Sequence, residues 1–283
     1  MPRHQLRLDA RSPSIIVPIT ARDRTELEAH AEAVRDADQT FRDRTVSQRA
    51  EAAGPLFDLV EWRVDLYQPF IRGGGQDPGP AVAGLRHLIE LLPEVPVLVT
   101  FRTTAEGGRT EIADQAYLDL VAALAGSGLA DAVDVEYRHP LAAPAIAAAH
   151  DHSTPVVASN HDFDATPGAD EIMERLASME NMGADVAKIA VMPRSAADVV
   201  TLIDATSRRF GDAGIPLITM SMGTLGAVTR VGGGVFGSAA TFATVGESSA
   251  PGQLPATGVR AALHLLDLGS EPDANGNSGA SQP

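Results

Sequence analysis

Short apolar runs alternate with longer amphipathic stretches along almost the whole chain. Eight of the apolar runs have the length and near-continuous hydrophobicity of buried parallel strands. These runs are Ile15–Thr20, Phe57–Arg63, Val97–Arg102, Ala132–Glu136, Val156–Asn160, Asp185–Val191, Leu217–Ser221 and Ala240–Val245. Apolar residues at helical spacing predict helices over Thr25–Ala37, Leu85–Leu92, Ile112–Ala125, Ala169–Met182, Ala196–Arg209 and Thr257–Leu268.

This alternation predicts an α/β protein with a closed (β/α)₈ barrel, a TIM barrel, in a single domain over residues 15–268. An open doubly wound sheet is the alternative, but no Gly-x-Gly-x-x-Gly motif follows the first strand. A polar segment, residues 1–14, precedes the barrel, and Gly73–Pro80 is predicted to be a loop. Residues 269–283 are rich in Gly, Ser, Asn and Pro, and we expect them to be disordered.

Composition narrows the classes of partner. The formal net charge of −15 argues against binding to nucleic acid or to an anionic membrane, since both require a basic surface. The chain has no cysteine, which excludes disulfides and thiolate-bound zinc. No apolar run approaches the roughly 20 residues of a membrane span, and residues 1–14 have no apolar signal core. We therefore expect a cytoplasmic protein.

Lys188 is the only lysine among the 22 basic residues, and it lies in the apolar run Asp185–Met192. A GC-rich coding bias favours arginine wherever a positive charge is sufficient. A retained lysine is therefore predicted to do what arginine cannot, which is to lose its proton and attack a carbonyl group. Apolar neighbours and nearby arginines are expected to favour the neutral amine. Chance survival of one lysine is the alternative.

Other polar or chemically distinctive residues fall at or beyond the C-terminal ends of the predicted strands. Strand by strand they are Glu61 and Arg63, Arg102 and Glu106, Asp134 and Glu136, His161, Lys188, Met220 and Met222, Arg230, and finally Ser249 and Gln253. In a barrel these ends converge on one mouth. The arginines there predict a small anionic ligand, the lysine a ketone or aldehyde, and the histidine a proton carrier. The predicted substrate is a small hydroxylated keto acid that reacts through an imine.

Several of these positions also have an ordinary structural interpretation. Glu61 and Arg63 could form a strand-end ion pair, Arg102 a surface charge, Met220 and Met222 core packing, and Gly232–Gly234 a flexible turn rather than an anion cradle. His161 differs, because it is the only one of eight histidines at a predicted strand-to-helix junction. Its position favours a functional role.

The chain resembles the type I 3-dehydroquinate dehydratases of the shikimate pathway. The motifs that carry the resemblance are Glu61-Trp-Arg63-Val-Asp65, Thr100-Phe-Arg102, Glu106-Gly-Gly, Ser159-Asn-His161-Asp-Phe, Lys188-Ile-Ala-Val-Met192-Pro, Met220-Ser-Met222-Gly, Thr229-Arg230, Val235–Phe242 and Ser249-Ala-Pro-Gly-Gln253. They follow the family's order across residues 15–268. Pro18 and the run Val231–Gly234 depart from the family pattern, which bears on loop closure.

The resemblance implies a barrel enzyme, commonly a homodimer, that needs no metal or organic cofactor. It implies a hydro-lyase that converts 3-dehydroquinate to 3-dehydroshikimate by syn-elimination of water through a lysine Schiff base. By motif, Lys188 would form the Schiff base, His161 would shuttle protons and Glu106 would orient that histidine. The substrate would be bound by Glu61, Arg63, Arg102, Arg230, Ser249 and Gln253, with Arg230 on the carboxylate, and Met220 and Met222 would line the ring pocket.

Two other functions fit a barrel with an internal lysine. A class I aldolase would cleave a carbon–carbon bond of a small keto acid or sugar, but the last strands carry no phosphate-binding glycine loop. A non-catalytic keto-acid-binding barrel would not need both the lysine and the histidine. The residues do not distinguish aromatic biosynthesis from quinate breakdown, since the reaction is the same.

Overall fold

Strands and helices alternate along the computed structural model, which describes residues 2–47, 54–246 and 252–266. The strands are Ser14–Ile19 (β1), Leu59–Arg63 (β2), Val97–Thr100 (β3), Ala132–Glu136 (β4), Val156–Asp162 (β5), Val186–Val191 (β6), Leu217–Ser221 (β7), Ala240–Thr244 (β8) and Leu254–Pro255 (β9). The helices are Arg24–Ser47 (α1), Gln68–Ile71 (α2), Gly79–Leu91 (α3), Asp114–Gly126 (α4), Ala142–Asp151 (α5), Ala169–Asn181 (α6), Ala196–Phe210 (α7), Ala227–Val231 (α8), Gly233–Phe236 (α9) and Ala256–Leu265 (α10).

The strands form one parallel sheet that curls into a barrel. Their order is β7-β6-β5-β4-β3-β2-β1-β8-β9, so β1 lies between β2 and β8. A single bridge between Leu217 and Ser238 joins β7 to the residues that precede β8. The predicted barrel fold is confirmed.

Inward-facing side chains form layers across the barrel. Near the N-terminal ends of the strands, one apolar residue from each of β1 to β8 contributes to a single cluster: Ile16, Leu59, Leu98, Ala132, Val157, Val186, Ile218 and Ala240. Side chains alternate along a strand, so the next inward position follows two residues later. That layer contains Pro18, Glu61, Thr100, Asp134, Ser159, Lys188, Met220 and Phe242. An apolar floor therefore lies beneath a largely polar layer.

The N-terminal segment crosses the bottom of the barrel. Leu6 and Leu8 pack against the apolar floor. The backbone N–H of His4 donates to Asp131 Oδ1 at 2.6 Å, and Arg3 donates to the Val95 carbonyl at 2.9 Å. This segment, predicted only as a polar stretch before the barrel, covers the end of the barrel opposite the mouth.

Several element boundaries differ from prediction for identifiable reasons. Helix α1 continues ten residues beyond the predicted end at Ala37, to Ser47, where i,i+4 side-chain contacts such as Arg42 to Asp38 stabilise a helix without apolar periodicity. Helix α3 begins inside the predicted loop Gly73–Pro80, with Pro80 in its first turn. Helix α5 was not predicted, because its alanine-rich sequence gives little contrast between faces.

The run Gly232–Gly234 is not a flexible turn, and that expectation is wrong. Gly232 ends α8, and Gly233–Phe236 forms α9. A Cβ on Gly234 would lie 2.6 Å from the Ala10 carbonyl oxygen, so glycine is needed for close packing against the N-terminal segment. Over the described part of the chain, no helix has the length and apolar character of a membrane span. The expected tail, residues 269–283, lies outside the described residues.

Candidate active site

The C-terminal ends of the strands surround a cavity of about 730 Å³. Ten of the eleven predicted site residues line it: Glu61, Arg63, Arg102, Glu106, His161, Lys188, Met220, Met222, Arg230 and Gln253. The eleventh, Ser249, lies outside the described residues. Convergence of strand ends, argued from the sequence, thus brings together residues that are up to 192 positions apart, from Glu61 to Gln253.

Lys188 lies deep in this cavity and is 3% exposed. Its Nζ is 3.4 Å from Glu61 Oε1 and 3.4 Å from Asp134 Oδ2. The same nitrogen is 4.5 Å from the ring centroid of Phe242, a cation–π distance. The expected surroundings, apolar and cationic, are therefore wrong in part, because two carboxylates flank the amine.

Arg102, which follows β3, contacts side chains of β4 and β5 through its guanidinium group and is not a surface charge. Nη1 donates to Glu136 Oε1 at 3.0 Å and to Ser159 Oγ at 2.9 Å, and Nη2 donates to Asp134 Oδ1 at 2.9 Å. Burial opposes its charge, but the carboxylates of Asp134, Glu136 and Glu106 outweigh that effect and raise the pKa of Arg102. Burial likewise acts to raise the pKa of Asp134. The cations Arg102 and Lys188 outweigh burial, so the pKa of Asp134 is lowered. The group is a buried ionic network.

Glu61 and Arg63 do not pair with each other as the isolated ion pair considered from sequence. Arg63 donates to Asp65 through Nε at 2.7 Å and Nη2 at 2.8 Å, a bidentate arrangement. Burial disfavours the guanidinium charge, but the Asp65 carboxylate outweighs it and raises the pKa of Arg63. Glu61 instead accepts from Thr100 Oγ1 at 2.9 Å and faces Lys188.

Glu106 and His161 form a hydrogen-bonded pair at the cavity wall. Glu106 Oε2 lies 2.9 Å from the backbone nitrogen of His161 and 3.0 Å from its Nδ1, and Asn160 Nδ2 donates to Oε1 at 3.0 Å. An ionised carboxylate only accepts, so Nδ1 carries the proton in that state and Nε2 keeps its lone pair. Arg102 completes the surroundings at 3.5 Å from Oε2.

Burial shifts the pKa of both members of this pair. It raises the pKa of Glu106 to about 7, with Arg102 acting in the opposite direction. Burial also lowers the pKa of His161 well below its ordinary value, and the nearby cations Arg102, Lys188 and Arg63 add to the effect. A neutral imidazole with a free lone pair can act as a base.

Arg230 projects from α8 and is 1% exposed. Its Nη1 is 3.8 Å from the Met220 sulfur and 3.5 Å from the Phe242 carbonyl oxygen. Burial lowers the pKa of Arg230 to about 10, because removal from water disfavours the cation. A bound anion would favour the charged form. Met220 and Met222 pack in the apolar floor cluster, as core residues do, and also line the cavity; their contact with a substrate ring stays a prediction.

Three contacts of this site were not predicted from the sequence. Asp134 was placed at the mouth without a role, yet its position two residues before Glu136 puts both on the inward face of β4. Phe242 lies beside Lys188, and its inward position follows from the alternation along β8. Phe163, two residues after His161, is 40% exposed at the rim, and only its neighbour in sequence could have drawn attention to it.

Comparison with known proteins tests the resemblance. The sequence profile of the type I 3-dehydroquinase family matches residues 42–270. The chain belongs to this family. It is 41% identical over 259 residues to the 3-dehydroquinate dehydratase of Listeria monocytogenes, covering 91% of this chain and 92% of that protein. The corresponding protein of Lactiplantibacillus plantarum is 45% identical over 230 residues, 79% of this chain and 89% of that protein.

Solved structures agree with the family assignment. The 3-dehydroquinate dehydratase of Geobacillus kaustophilus superposes with a TM-score of 0.80 at 33% identity, covering 95% of this chain and 99% of that one. The type I enzyme of Clostridium difficile, solved with covalently modified comenic acid, gives 0.79 at 33% identity over 92% of this chain and 94% of that one. Membership of the type I 3-dehydroquinase family, predicted from the motifs, is confirmed.

Proposed function

We propose that this family member dehydrates 3-dehydroquinate to 3-dehydroshikimate through an imine on Lys188. The observation that carries the proposal is the position of the only lysine, buried in the cavity below His161. In the register of β5 and β6, Ser159 lies beside Lys188 and His161 beside Ala190. The His161 imidazole therefore belongs to the next inward layer, nearer the mouth than the layer that contains Lys188. From there it would face a substrate ring bound to the Lys188 amine.

The first step forms the imine. The amine adds to the ring ketone and one water leaves, which requires Nζ to give up a proton. Glu61 Oε1 or Asp134 Oδ2, each 3.4 Å away, can accept that proton and pass it to the carbinolamine hydroxyl, which leaves as water. Both carboxylates are then ionised again and balance the positive charge of the iminium. The two carboxylates thus assist a step that the sequence assigned to apolar neighbours and nearby arginines.

The second step moves a proton and expels hydroxide. The iminium withdraws electrons, so His161 Nε2 removes a proton from the adjacent carbon and an enamine forms. The enamine expels the β-hydroxyl, which takes the proton back from the imidazolium and leaves as water. Hydrolysis of the remaining imine consumes one water and restores the amine, for a net loss of one water. Because His161 serves as base for the proton and then as acid for the hydroxyl, both groups leave from the same face of the substrate ring, which is a syn-elimination.

Glu106 and Arg230 are assigned supporting roles. Glu106 fixes the imidazole through Nδ1 and stabilises the imidazolium, since its carboxylate is the acceptor at 3.0 Å. Arg230 receives the substrate carboxylate, because its buried guanidinium gains from an anion beside it. Arg63 and Arg102 already contact carboxylates of the protein, so we assign them mainly to the shape and charge of the pocket.

The test uses the single lysine. Purified protein should generate the absorbance of a conjugated enone from 3-dehydroquinate, and borohydride should trap one substrate-derived adduct per chain. Digestion should place that adduct on the peptide that contains Lys188, and Lys188→Arg should remove both signals while retaining the charge. Turnover by Lys188→Arg, or an adduct elsewhere, would refute the imine mechanism. Carbon–carbon cleavage products in place of an enone would indicate the aldolase.

The assembly and compartment remain predictions. A homodimer in the cytoplasm agrees with the resemblance, and exposed apolar side chains on α8, α9 and α10 offer surface for association: Val228, Val235 and Leu265. Light scattering of the purified protein tests the dimer, and a monomeric mass at micromolar concentration would contradict it. Fractionation of cells that express the protein tests the compartment.

A further inference from the structure

Phe163 is a large apolar side chain at the rim of the cavity, and its ring lies beside His161 and beside Gly107, the residue that follows Glu106. It is 40% exposed and belongs to none of the apolar clusters formed by the described residues. Its ring lies nearly parallel to the His161 imidazole, at 20° with 6.3 Å between centroids. A Cβ built on Gly107 would lie 2.3 Å from its Cε2, so the ring rests on that backbone.

Gly107 ends the turn that carries Glu106. The 3₁₀ turn Thr104–Glu106 closes on Gly107, whose φ of 84° lies in the left-handed region that favours glycine. A side chain there would be strained by the backbone and would also collide with the Phe163 ring. The same glycine therefore permits both the turn and the contact with the ring.

The pair Glu106 and His161 needs such a contact because no strand pairing aligns its two members. Glu106 follows β3, His161 is in β5, and β4 lies between these strands in the sheet. Their relative position depends on side-chain contacts across the mouth. One of these is the hydrogen bonding of Glu106 itself, and Phe163 supplies a second that joins the same two segments.

We propose that Phe163 is a positioning residue that packs Gly107 against His161 and so keeps the Glu106 carboxylate and the imidazole aligned for proton transfer. The inference rests on the roles proposed above for Glu106 and His161. A displacement of about 1 Å at a reacting group can reduce turnover about a hundredfold. Because the hydrogen bonds to Glu106 remain when the ring is removed, we expect a fall in kcat of about tenfold for Phe163→Ala.

The chain provides a matched control. Phe210, at the end of α7, is 50% exposed and also rests on a glycine with positive φ, since a Cβ on Gly237 would lie 2.3 Å from its Cγ. Phe210 does not line the cavity. Phe210→Ala removes the same ring from the same kind of contact, away from the chemistry.

Steady-state kinetics with 3-dehydroquinate on wild type, Phe163→Ala, Phe163→Tyr and Phe210→Ala test the proposal. We expect Phe163→Ala to lose kcat with KM within about twofold, to accumulate more borohydride-trapped imine, and to be rescued by Phe163→Tyr, which retains the ring. Phe210→Ala should keep wild-type constants. Unchanged kcat in Phe163→Ala, a loss only in KM, or equal losses in both alanine variants would overturn the proposal. An inactive wild type would instead overturn the proposed function.

A double-mutant cycle adds an independent test of the contact. Gly107→Ala introduces a methyl group where the ring lies, so its effect on kcat should be several-fold smaller in the Phe163→Ala background than in wild type. Backbone strain at Gly107 is present in both backgrounds and cancels. Equal loss factors in the two backgrounds would show that the ring does not couple to Gly107.

Discussion

Replacing Glu106 by glutamine should change how stability depends on pH. The folded protein raises the pKa of this carboxyl to about 7 from its ordinary 4.5, chiefly by burial. The native state therefore binds the proton more tightly than the unfolded chain does. Well below pH 4.5, ionisation of Glu106 does not affect the free energy of unfolding. Between pH 4.5 and 7 it lowers the free energy of unfolding progressively, and above pH 7 the reduction is constant.

The magnitude follows from the shift. Linkage gives a penalty of about 1 kcal/mol at pH 5 and about 3 kcal/mol at pH 8, so wild type should lose about 2 kcal/mol between these values through Glu106. Glutamine does not ionise and has no such penalty. The amide N–H₂ of the glutamine, however, must face another donor. Asn160 Nδ2 donates to Glu106 Oε1, and Asn160 is held in this orientation because its Oδ1 accepts from Arg175 at 2.9 Å. That mismatch costs roughly 1–3 kcal/mol at every pH.

Glu106→Gln should accordingly be less stable than wild type at pH 5 and equal or more stable at pH 8. Urea unfolding of both proteins at fixed concentration, at one-unit steps from pH 5 to 8, measures the difference. Other titrating groups are common to the two proteins and largely cancel. The exposed Glu32→Gln on α1 serves as control and should show no such crossover. A difference between wild type and Glu106→Gln that does not vary with pH would refute the reasoning.

Four further outcomes are expected. His161→Ala should lower kcat by about 10²–10⁴-fold while borohydride still traps an imine; a change in KM alone would contradict its role as base. Arg230→Ala should raise KM about ten- to a hundredfold, and Arg230→Lys should restore only part of the affinity; unchanged substrate affinity would remove it from the carboxylate site. Asp134→Asn should destabilise the fold by roughly 3 kcal/mol in urea unfolding, because Arg102 and Lys188 lose a buried counter-ion; wild-type stability would mean that the network contributes little. Excess chelator should leave turnover unchanged, since the iminium takes the place of a Lewis acid; inhibition reversed by one divalent ion would contradict this.

The sequence predicts the barrel well because buried parallel strands have a plain hydrophobic pattern. It predicts boundaries less well where pairing, not the pattern, decides them. Arg102 was assigned to the third strand, which ends at Thr100, whereas the fifth strand continues through His161 and Asp162 because β6 pairs with both. Such extensions depend on a neighbouring strand that local sequence does not describe.

For the site, the sequence predicts which residues meet but not which atoms pair. Arg63 contacts Asp65 and not Glu61, and Lys188 on β6 contacts Asp134 on β4, with β5 between the two strands. These choices depend on strand stagger and side-chain rotamers, which are properties of the closed barrel. The role of Phe163 could not be identified from spacing, because its contact with Gly107 joins two segments that are far apart in the sequence.

The apolar floor has a consequence for how the chain is made. Leu6 and Leu8 are synthesised well before Ala240, yet they pack on a cluster that includes it, and β1 pairs with β8 as well as with β2. Neither arrangement is complete until about 230 more residues have been synthesised, so the barrel closes only after β8 has been made. Until then one edge of β1 lacks its partner and is open to other strands. The segment that carries Leu6 and Leu8 is therefore made long before β8, yet it cannot complete its packing until β8 is present.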